Sequence, residues 1–205
     1  RLRALCDGVI APGEREYETL LGQVEHLGRM VGDLHTLSVA DAGQLSLHPQ
    51  RIDLNALVPQ VLEPLRPQLH ESGMELDLSL PLEEGLADIR ADGDRMRQIV
   101  SNLVNNALRH AAQGRWLGVR VDAEQDAQGR AWVVLRISDA GPGLPPELRQ
   151  QPFQRFARAP GKRRREGSGL GLSIVRALTE AQGGTVWLEA SERGGTCFAL
   201  RFPRA

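Results

Sequence analysis

Cysteine, aromatic residues and long apolar runs are all scarce in this chain of 205 residues. The two cysteines, Cys6 and Cys197, lie at opposite ends and show no metal-ligand spacing, so they fit free thiols in a reducing compartment. No apolar run approaches the roughly 20 residues that span a bilayer, and no signal-peptide pattern is present. The formal net charge of −1 gives no global field that would attract nucleic acid or a membrane surface.

The N-terminal part of the chain contains a long helical pattern. Residues 15–39 are predicted to form one helix, whose apolar positions follow steps of three and four, the spacing of a coiled coil or bundle. This seam consists of Tyr17, Leu20, Val24, Leu27, Val31, Leu34 and Ser38. The pattern favours a partner helix, although packing on a globular domain is the alternative. "IAPGE" before it reads as a turn and "RLRALC" as the end of another helix, so we expect a fragment beginning inside a helical hairpin.

From about residue 52 helix and strand patterns are mixed. One helix is predicted over residues 53–73 with Asp53 as N-cap, and another over residues 94–111 with Asp94 as N-cap. Alternating segments predict strands, two pairs of which are joined by the turns "DAQG" and "ERGG". The strand segments are "MELDLSL", "WLGVRVDAEQ", "AWVVLRISD", "GTVWLEAS" and "TCFALRF". The pattern predicts an α+β two-layer sandwich with helices on one face of a sheet.

The second of these helices carries amides on its polar side. Asn102 and Asn106 are one turn apart, with Asn105 and Arg109 near the same face. Carboxamide oxygens can bind a hard cation and arginine can bind phosphate. A solvated polar face has the same pattern, and the residues alone leave both interpretations open.

Two glycine-rich segments follow. In "SDAGPGL", Asp139 ends a strand and can accept hydrogen bonds, while the glycines let a planar ring approach the backbone; a simple turn is the alternative. In "REGSGLGLSIV", three glycines precede a helix, which favours either phosphate binding or a helix-entry turn. The dinucleotide-binding fingerprint fails because Leu172 stands where it needs glycine.

Taken together, these segments resemble a known family. "NLVNNALRH", "DAGPG", "PFQRF" and "GSGLGLSIV" are similar, in order and spacing, to the N, G1, F and G2 boxes of the catalytic ATPase domain of two-component sensor histidine kinases. "GGTCFALRFP" resembles the closing strand of that domain. The resemblance implies a GHKL (Bergerat) two-layer sandwich at residues 53–205, a linker at 46–52, and a truncated dimerisation and phosphotransfer hairpin at 1–45.

The resemblance also implies roles for individual residues. Asn106 would hold Mg²⁺ with support from Asn102, while Arg109 and Arg158 would act on the phosphates of ATP. His110 would cover the adenine, and Asp139 would bind its amine. Lys162 to Arg165 are either phosphate ligands or a solvated loop. Further nucleotide contacts or lid positions are implied for Gly141, Gly143, Phe153, Phe156, Gly167, Gly169, Leu170, Gly171 and Thr196.

The implied function is that of a kinase core that uses ATP and Mg²⁺, pairs as a homodimer through its helical bundle, and serves a response-regulator receiver domain. The parent protein would be a bacterial inner-membrane sensor, and this chain its cytoplasmic portion. None of the five histidines lies in a phosphoacceptor box, which we expect upstream of Arg1. We therefore expect ATP binding without self-phosphorylation.

Other functions of the same superfold are weighed against this one. An ATP-hydrolysing enzyme of the same superfold would carry glutamate four residues before the Mg²⁺-binding asparagine, where this chain has Asn102. The same substitution disfavours the serine kinases that regulate sigma factors. A nucleotide-binding interaction module without kinase activity is the other alternative, against which the intact Asn106, Asp139 and glycines argue.

Overall fold

A computed structural model describes residues 13–81, 83, 85–157 and 168–205. The α-helices in the described residues are α1 (Glu14–Asp41), α2 (Leu54–Leu62), α3 (Arg66–Glu71), α4 (Gly93–His110), α5 (Pro146–Arg149) and α6 (Gly171–Ala181). The strands there are β1 (Gln50–Asp53), β2 (Glu75–Ser79), β3 (Asp88–Ala91), β4 (Trp116–Gln125), β5 (Ala131–Asp139), β6 (Thr185–Ala190) and β7 (Thr196–Pro203). Short 3-10 turns occupy Glu63–Leu65 and Ala112–Gly114.

The central element is a mixed sheet with strand order β2-β4-β5-β7-β6. Strand β2 is parallel to β4, and the remaining pairs are antiparallel. Because side chains alternate along a strand, one face of β5 and β7 is apolar and packs against the helices. This face includes Val133, Leu135, Ile137, Phe198, Leu200 and Phe202. The predicted α+β two-layer sandwich is confirmed.

The single helix predicted over residues 53–73 is wrong. Asp53 caps α2 as predicted, by accepting a 2.8 Å hydrogen bond from the backbone N–H of Asn55. However, α2 ends at Leu62, and a 3-10 turn separates it from α3. Pro64 and Pro67 lack the N–H groups that a continuous helical ladder needs, which explains the interruption.

A second, two-stranded sheet was not predicted. Strand β1 pairs antiparallel with β3, with Ile52 opposite Ile89. Each strand has only four residues, which is the shortest run over which alternation predicts a strand. This pairing joins residues 50–53 to the segment that leads directly into α4.

The cap of α4 also differs from the prediction. Asp92, not Asp94, is the N-cap, because its extended backbone lets Oδ1 accept hydrogen bonds from the N–H groups of Asp94 and Arg95 at 3.0 and 3.1 Å. Asp94 already lies inside the helix. The other oxygen of Asp92 accepts a 2.9 Å bond from the N–H of His48, which fixes the linker against the same helix end.

Helix α1 uses two different faces. Leu37 is 2 % exposed and belongs to the core, and α1 packs against α6. The seam is open to solvent, with Val31 67 % and Leu34 44 % exposed. Packing on the globular domain therefore accounts for one side of α1, and the partner helix predicted for the seam stays a prediction.

Several sequence predictions concern the ends of the chain. The proposed first hairpin arm and Cys6 lie in residues 1–12, outside the described residues. Cys197 is a buried free thiol, as predicted. In the part of the chain that the structure describes, no helix combines the length and apolar character that crossing a bilayer requires.

Candidate functional site

A cavity of about 720 Å³ lies between α4, the loop after β5, the start of α6, and one side of α1. This volume is within the range of about 300–1,000 Å³ that small-molecule sites occupy. Helix α4 contributes its polar face, namely Asn102, Asn105, Asn106, Arg109 and His110.

The amides of α4 face the cavity because the opposite side of the helix is held in the core by Met96, Ile99 and Leu103. The Nδ2 atom of Asn102 is buried and has no hydrogen-bond partner among the described residues. A buried donor without an acceptor is costly, and no described group offsets that cost here. The predicted polar face is therefore a cavity wall rather than a solvated surface.

Asp139 forms the floor of the cavity at the end of β5. Its side chain is largely withdrawn from water, and the residue is 6 % exposed. Oδ1 accepts hydrogen bonds from the N–H of Gly141 at 2.9 Å and of Thr196 at 3.1 Å. Among the described residues, no hydrogen bond reaches Oδ2, which leaves that oxygen as an acceptor for a ligand.

The environment of Asp139 perturbs its ionisation. Burial raises the pKa of the carboxyl group, and the hydrogen bonds from Gly141 and Thr196 only partly offset this effect. A desolvated carboxylate gains more from a new donor than a solvated one does. The site therefore favours a ligand that donates a hydrogen bond here.

Close backbone packing holds Asp139 in place. Gly195 has φ = 85°, and a Cβ atom there would lie 2.5 Å from both the backbone oxygen and Oδ1 of Asp139. A Cβ at Gly141 would lie 2.6 Å from the Cβ of Ala111, at the end of α4. Glycine is required at both positions. Gly195 was missed by sequence reasoning, although the Gly-Gly pair before Thr196 was a visible signal.

The entrance to α6 forms another wall of the cavity. Ser168, Gly169, Gly171 and Leu172 line it, and α6 begins without a side-chain cap. The N–H groups of its first turn therefore remain available to an anion. Leu170, predicted as a binding residue, is fully buried, and its N–H donates to the Oγ of Ser168 at 3.2 Å.

The two phenylalanines predicted to anchor the lid occupy different environments. Phe153 packs against the core, with its ring centroid 6.3 Å from that of Phe198 in an edge-on arrangement. Phe156 is 56 % exposed and has φ = 58°, and its N–H donates to the backbone oxygen of Gly169 at 3.0 Å. Phe156 therefore connects to the entrance of α6 through its backbone.

Most of the predicted site residues come together in this cavity. Those that line it are Asn102, Asn106, Arg109, His110, Asp139, Gly143, Gly169, Gly171 and Thr196. Gly141 contributes a backbone N–H to Asp139 without being a lining residue. Arg158, Gly167 and the cations at 162–165 lie outside the described residues.

Sequence reasoning missed the contribution of α1. Arg29, Met30, Asp33 and Thr36 line the same cavity. These residues lie on the side of α1 opposite the apolar seam. The periodicity of the seam therefore already indicated which residues share this opposite face. Which surface that face would meet depends on tertiary packing.

The donor set also bears on metal binding. Within the described ranges, no group of three histidine, cysteine, aspartate or glutamate side chains could hold a metal ion by itself. The amide oxygens of Asn102 and Asn106 are hard ligands of the type that Mg²⁺ accepts together with phosphate oxygens and water. These residues fit a metal ion that arrives with a phosphorylated ligand.

Comparison with known proteins agrees with this geometry. The family model described as "histidine kinase-, DNA gyrase B-, and HSP90-like ATPase" matches residues 91–205. The chain is 31 % identical to the circadian input-output histidine kinase CikA of Synechococcus elongatus, over 96 % of this chain and 26 % of that protein. It is 32 % identical to the signal transduction histidine-protein kinase BaeS of Escherichia coli, over 98 % of this chain and 42 % of that protein.

Solved structures show the same relationship. The Acinetobacter baumannii histidine kinase AdeS superposes with a TM-score of 0.78 and 28 % identity, covering 99 % of this chain and 91 % of that one. Full-length ShkA in complex with AMPPNP superposes with a TM-score of 0.73 and 31 % identity, covering 96 % of this chain and 40 % of that one. The chain thus spans less than half the length of the two curated relatives. An ATPase-family match over this cavity implies ATP binding, and the chain belongs to the histidine kinase-, DNA gyrase B- and HSP90-like ATPase family.

Proposed function

We propose that this chain is the kinase core of a two-component sensor histidine kinase that binds Mg·ATP in the cavity beside α4. The observation that carries the proposal is Asp139, a buried carboxylate with Oδ1 held by backbone and Oδ2 left to a ligand. An exocyclic amine such as that of adenine is a matching donor. In the intact protein the γ-phosphoryl group would pass to a histidine and then to an aspartate of a response regulator.

The phosphate end of the nucleotide would lie near the amides of α4 and the start of α6. Asn102 and Asn106 would hold the metal ion, which when bound neutralises phosphate charge. Arg109 would donate to phosphate oxygens, as would the uncapped N–H groups of α6. The task of these residues is to position and neutralise the triphosphate, because phosphoryl transfer depends mainly on alignment.

The exposed seam of α1 supports a homodimer as part of this proposal. Val24, Leu27 and Val31 are each more than half exposed and repeat at bundle spacing. A partner helix that covers them would remove this apolar surface from water. Location as the cytoplasmic part of a bacterial inner-membrane sensor belongs to the same proposal.

A nucleotide titration tests the binding step. We expect the chain to bind ATP more tightly with Mg²⁺ than without it, and Asn106→Asp to alter that metal dependence while leaving adenosine affinity unchanged. Leu108→Met, on the same helix but packed toward the core, is the matched control. Unchanged metal dependence in Asn106→Asp would contradict the role assigned to Asn106.

Phosphoryl transfer is tested separately. The chain is incubated with γ-labelled ATP, alone and with a phosphoacceptor helical domain from a related kinase supplied at high concentration. We expect acid-labile label on the added domain and negligible label on this chain. Stoichiometric labelling of one of its five histidines would contradict the proposal that the acceptor is elsewhere.

The same experiment separates the alternative functions. Steady ATP hydrolysis without phosphoryl transfer would favour a GHKL-type ATPase. ATP binding without hydrolysis or transfer would favour an interaction module.

A further inference from the structure

Helix α1 is attached to the catalytic sandwich beside the nucleotide cavity. Its Leu37 side chain is in the core, and the carboxylate of Asp41 forms an ion pair with the guanidinium of Arg155. Arg155 lies between Phe153 and Phe156. The backbone N–H of Phe156 donates a hydrogen bond to the backbone oxygen of Gly169 at the entrance to α6. The C-terminal part of α1 is therefore fixed to the same structural unit that forms the cavity wall.

One face of α1 continues from this attachment across the cavity. Arg29, Asp33 and Thr36 are spaced at i, i+4 and i+7, so they lie on one side of the helix, and all three line the cavity together with Asn102 and Asp139. The seam lies on the other side of α1 and is exposed. A partner helix can thus cover the seam without displacing the face that lines the cavity.

Arg29 is the residue of this face that matches a triphosphate. The residue is exposed, and it takes part in none of the ion pairs among the described residues. The guanidinium group is always charged, and its planar fork binds phosphate oxygens in pairs. The catalytic sandwich itself provides Arg109 and Arg149 as the arginines lining the cavity in the described residues, so Arg29 adds a cation from the opposite wall.

We propose that α1 is part of the nucleotide site and that Arg29 binds the phosphates of ATP from the bundle helix. This inference rests on the proposed function, since it takes ATP as the ligand of the cavity. The phosphate contact of Arg29 adds to the contacts proposed for α4 and for the start of α6. Because ligand binding and helix position are then linked, bound ATP stabilises the docked position of α1, and docking of α1 raises the affinity for ATP.

The test compares ATP with adenosine, which has the same base and sugar but no phosphates. Binding of each to the chain is measured by calorimetry for the unmodified protein, Arg29→Gln and Arg29→Lys. Arg66→Gln removes an exposed charge that does not line the cavity and is the matched control. We expect Arg29→Gln to weaken ATP binding about tenfold while adenosine binding stays the same, which corresponds to loss of one charge-assisted contact. Arg29→Lys should retain part of the ATP affinity, and Arg66→Gln all of it.

Two results would overturn the inference while leaving the proposed function intact. One is unchanged ATP affinity in Arg29→Gln when the unmodified chain binds ATP. The other is an equal loss of ATP and adenosine affinity, which would mean that Arg29 only supports the shape of the cavity. Failure of the unmodified chain to bind either ligand would instead contradict the proposed function, and the role of Arg29 with it. Thermal unfolding midpoints of all variants establish that each compared protein is folded.

Discussion

Two aspartates at opposite ends of β5 show how the same side chain is satisfied by its own chain in one place and left open to a ligand in the other. Asp126, in the turn before β5, accepts hydrogen bonds from the N–H of Gln128, from the N–H and Nε of Arg130, and from Nε1 of Trp132, at 2.6 to 3.0 Å. Asp139, at the far end, accepts two bonds at one oxygen.

Their ionisation differs accordingly. At Asp126 burial opposes ionisation, but the hydrogen bonds from Trp132, Arg130 and Gln128 outweigh it and lower the pKa to about 2. At Asp139 burial dominates and raises the pKa. A carboxylate saturated by its own chain stabilises the fold, whereas one left partly unsatisfied in a cavity is available to a ligand.

The largest expected effect comes from removing the space beside Asp139. Gly195→Ala places a methyl group 2.5 Å from the Asp139 backbone and carboxylate at a positive φ. We expect a loss of about 3 kcal/mol or more in the free energy of unfolding, and loss of ATP binding. Gly194→Ala is the matched control, because Gly194 also has positive φ but a methyl group added there would meet nothing within 4 Å. That variant should lose about 1–2 kcal/mol and keep its affinity. Equal effects in the two variants would mean that contact with Asp139 is not what matters.

Asp139→Asn separates binding from stability. The amide keeps an oxygen for Gly141 and Thr196 but removes the charge, so we expect ATP binding to weaken by about 1.5–3 kcal/mol. Because the folded pKa is raised, ionisation of Asp139 lowers stability as pH rises through that pKa. The neutral amide avoids this loss, and the unfolding midpoint at pH 7 should not fall. Calorimetry and thermal unfolding measure the two quantities. A lower unfolding midpoint together with full ATP affinity would mean that Asp139 serves stability and does not bind ATP.

Asp126→Asn should have the opposite outcome. Replacing one carboxylate oxygen by an NH₂ group sets a donor against the donors that surround it, so we expect a lower unfolding midpoint. The turn is not part of the cavity, and ATP affinity should be unchanged. Reduced ATP affinity in this variant, in a sample shown to be folded, would contradict the assignment of stability to Asp126 and of ligand binding to Asp139.

The smallest effect is an acid dependence. Since the folded pKa of Asp126 is about 2, below the ordinary value near 4, its contribution to stability is present above about pH 4. That contribution is lost as pH falls from about 4 to about 2. Unfolding midpoints followed over this range should decline more steeply in the unmodified chain than in Asp126→Asn. Parallel curves would show that Asp126 does not contribute as described.

The main elements around the candidate site could be predicted from sequence because they depend on local patterns. Alternation identified β5 and its hairpin with β4, and the i, i+4 spacing identified Asn102 and Asn106 as one helix face. The ends of elements were less predictable: Asp92 caps α4 instead of Asp94 because the extended backbone after β3 determines where the helix begins.

Features that depend on distant residues were not accessible. Gly195 is required because the start of β7 lies close to the end of β5. The residues next to Gly195 in the sequence do not indicate how close these two strands come. Likewise, the seam predicted one side of α1 as the contact for a partner helix, but burial of Leu37 and the ion pair between Asp41 and Arg155 determine that another side meets the cavity. Local periodicity defines faces, and tertiary packing decides what each face contacts.

The role proposed for Asp139 is that its Oδ2 atom accepts a hydrogen bond from the exocyclic amine of adenine. Calorimetric binding of adenosine and of purine riboside, which lacks that amine, tests it most directly in the unmodified chain and in Asp139→Asn. We predict that the unmodified chain prefers adenosine by about tenfold or more, as expected for one hydrogen bond to a charged group, and that Asp139→Asn loses this preference. Equal binding of the two nucleosides by the unmodified chain, or a preference that survives in Asp139→Asn, would contradict it.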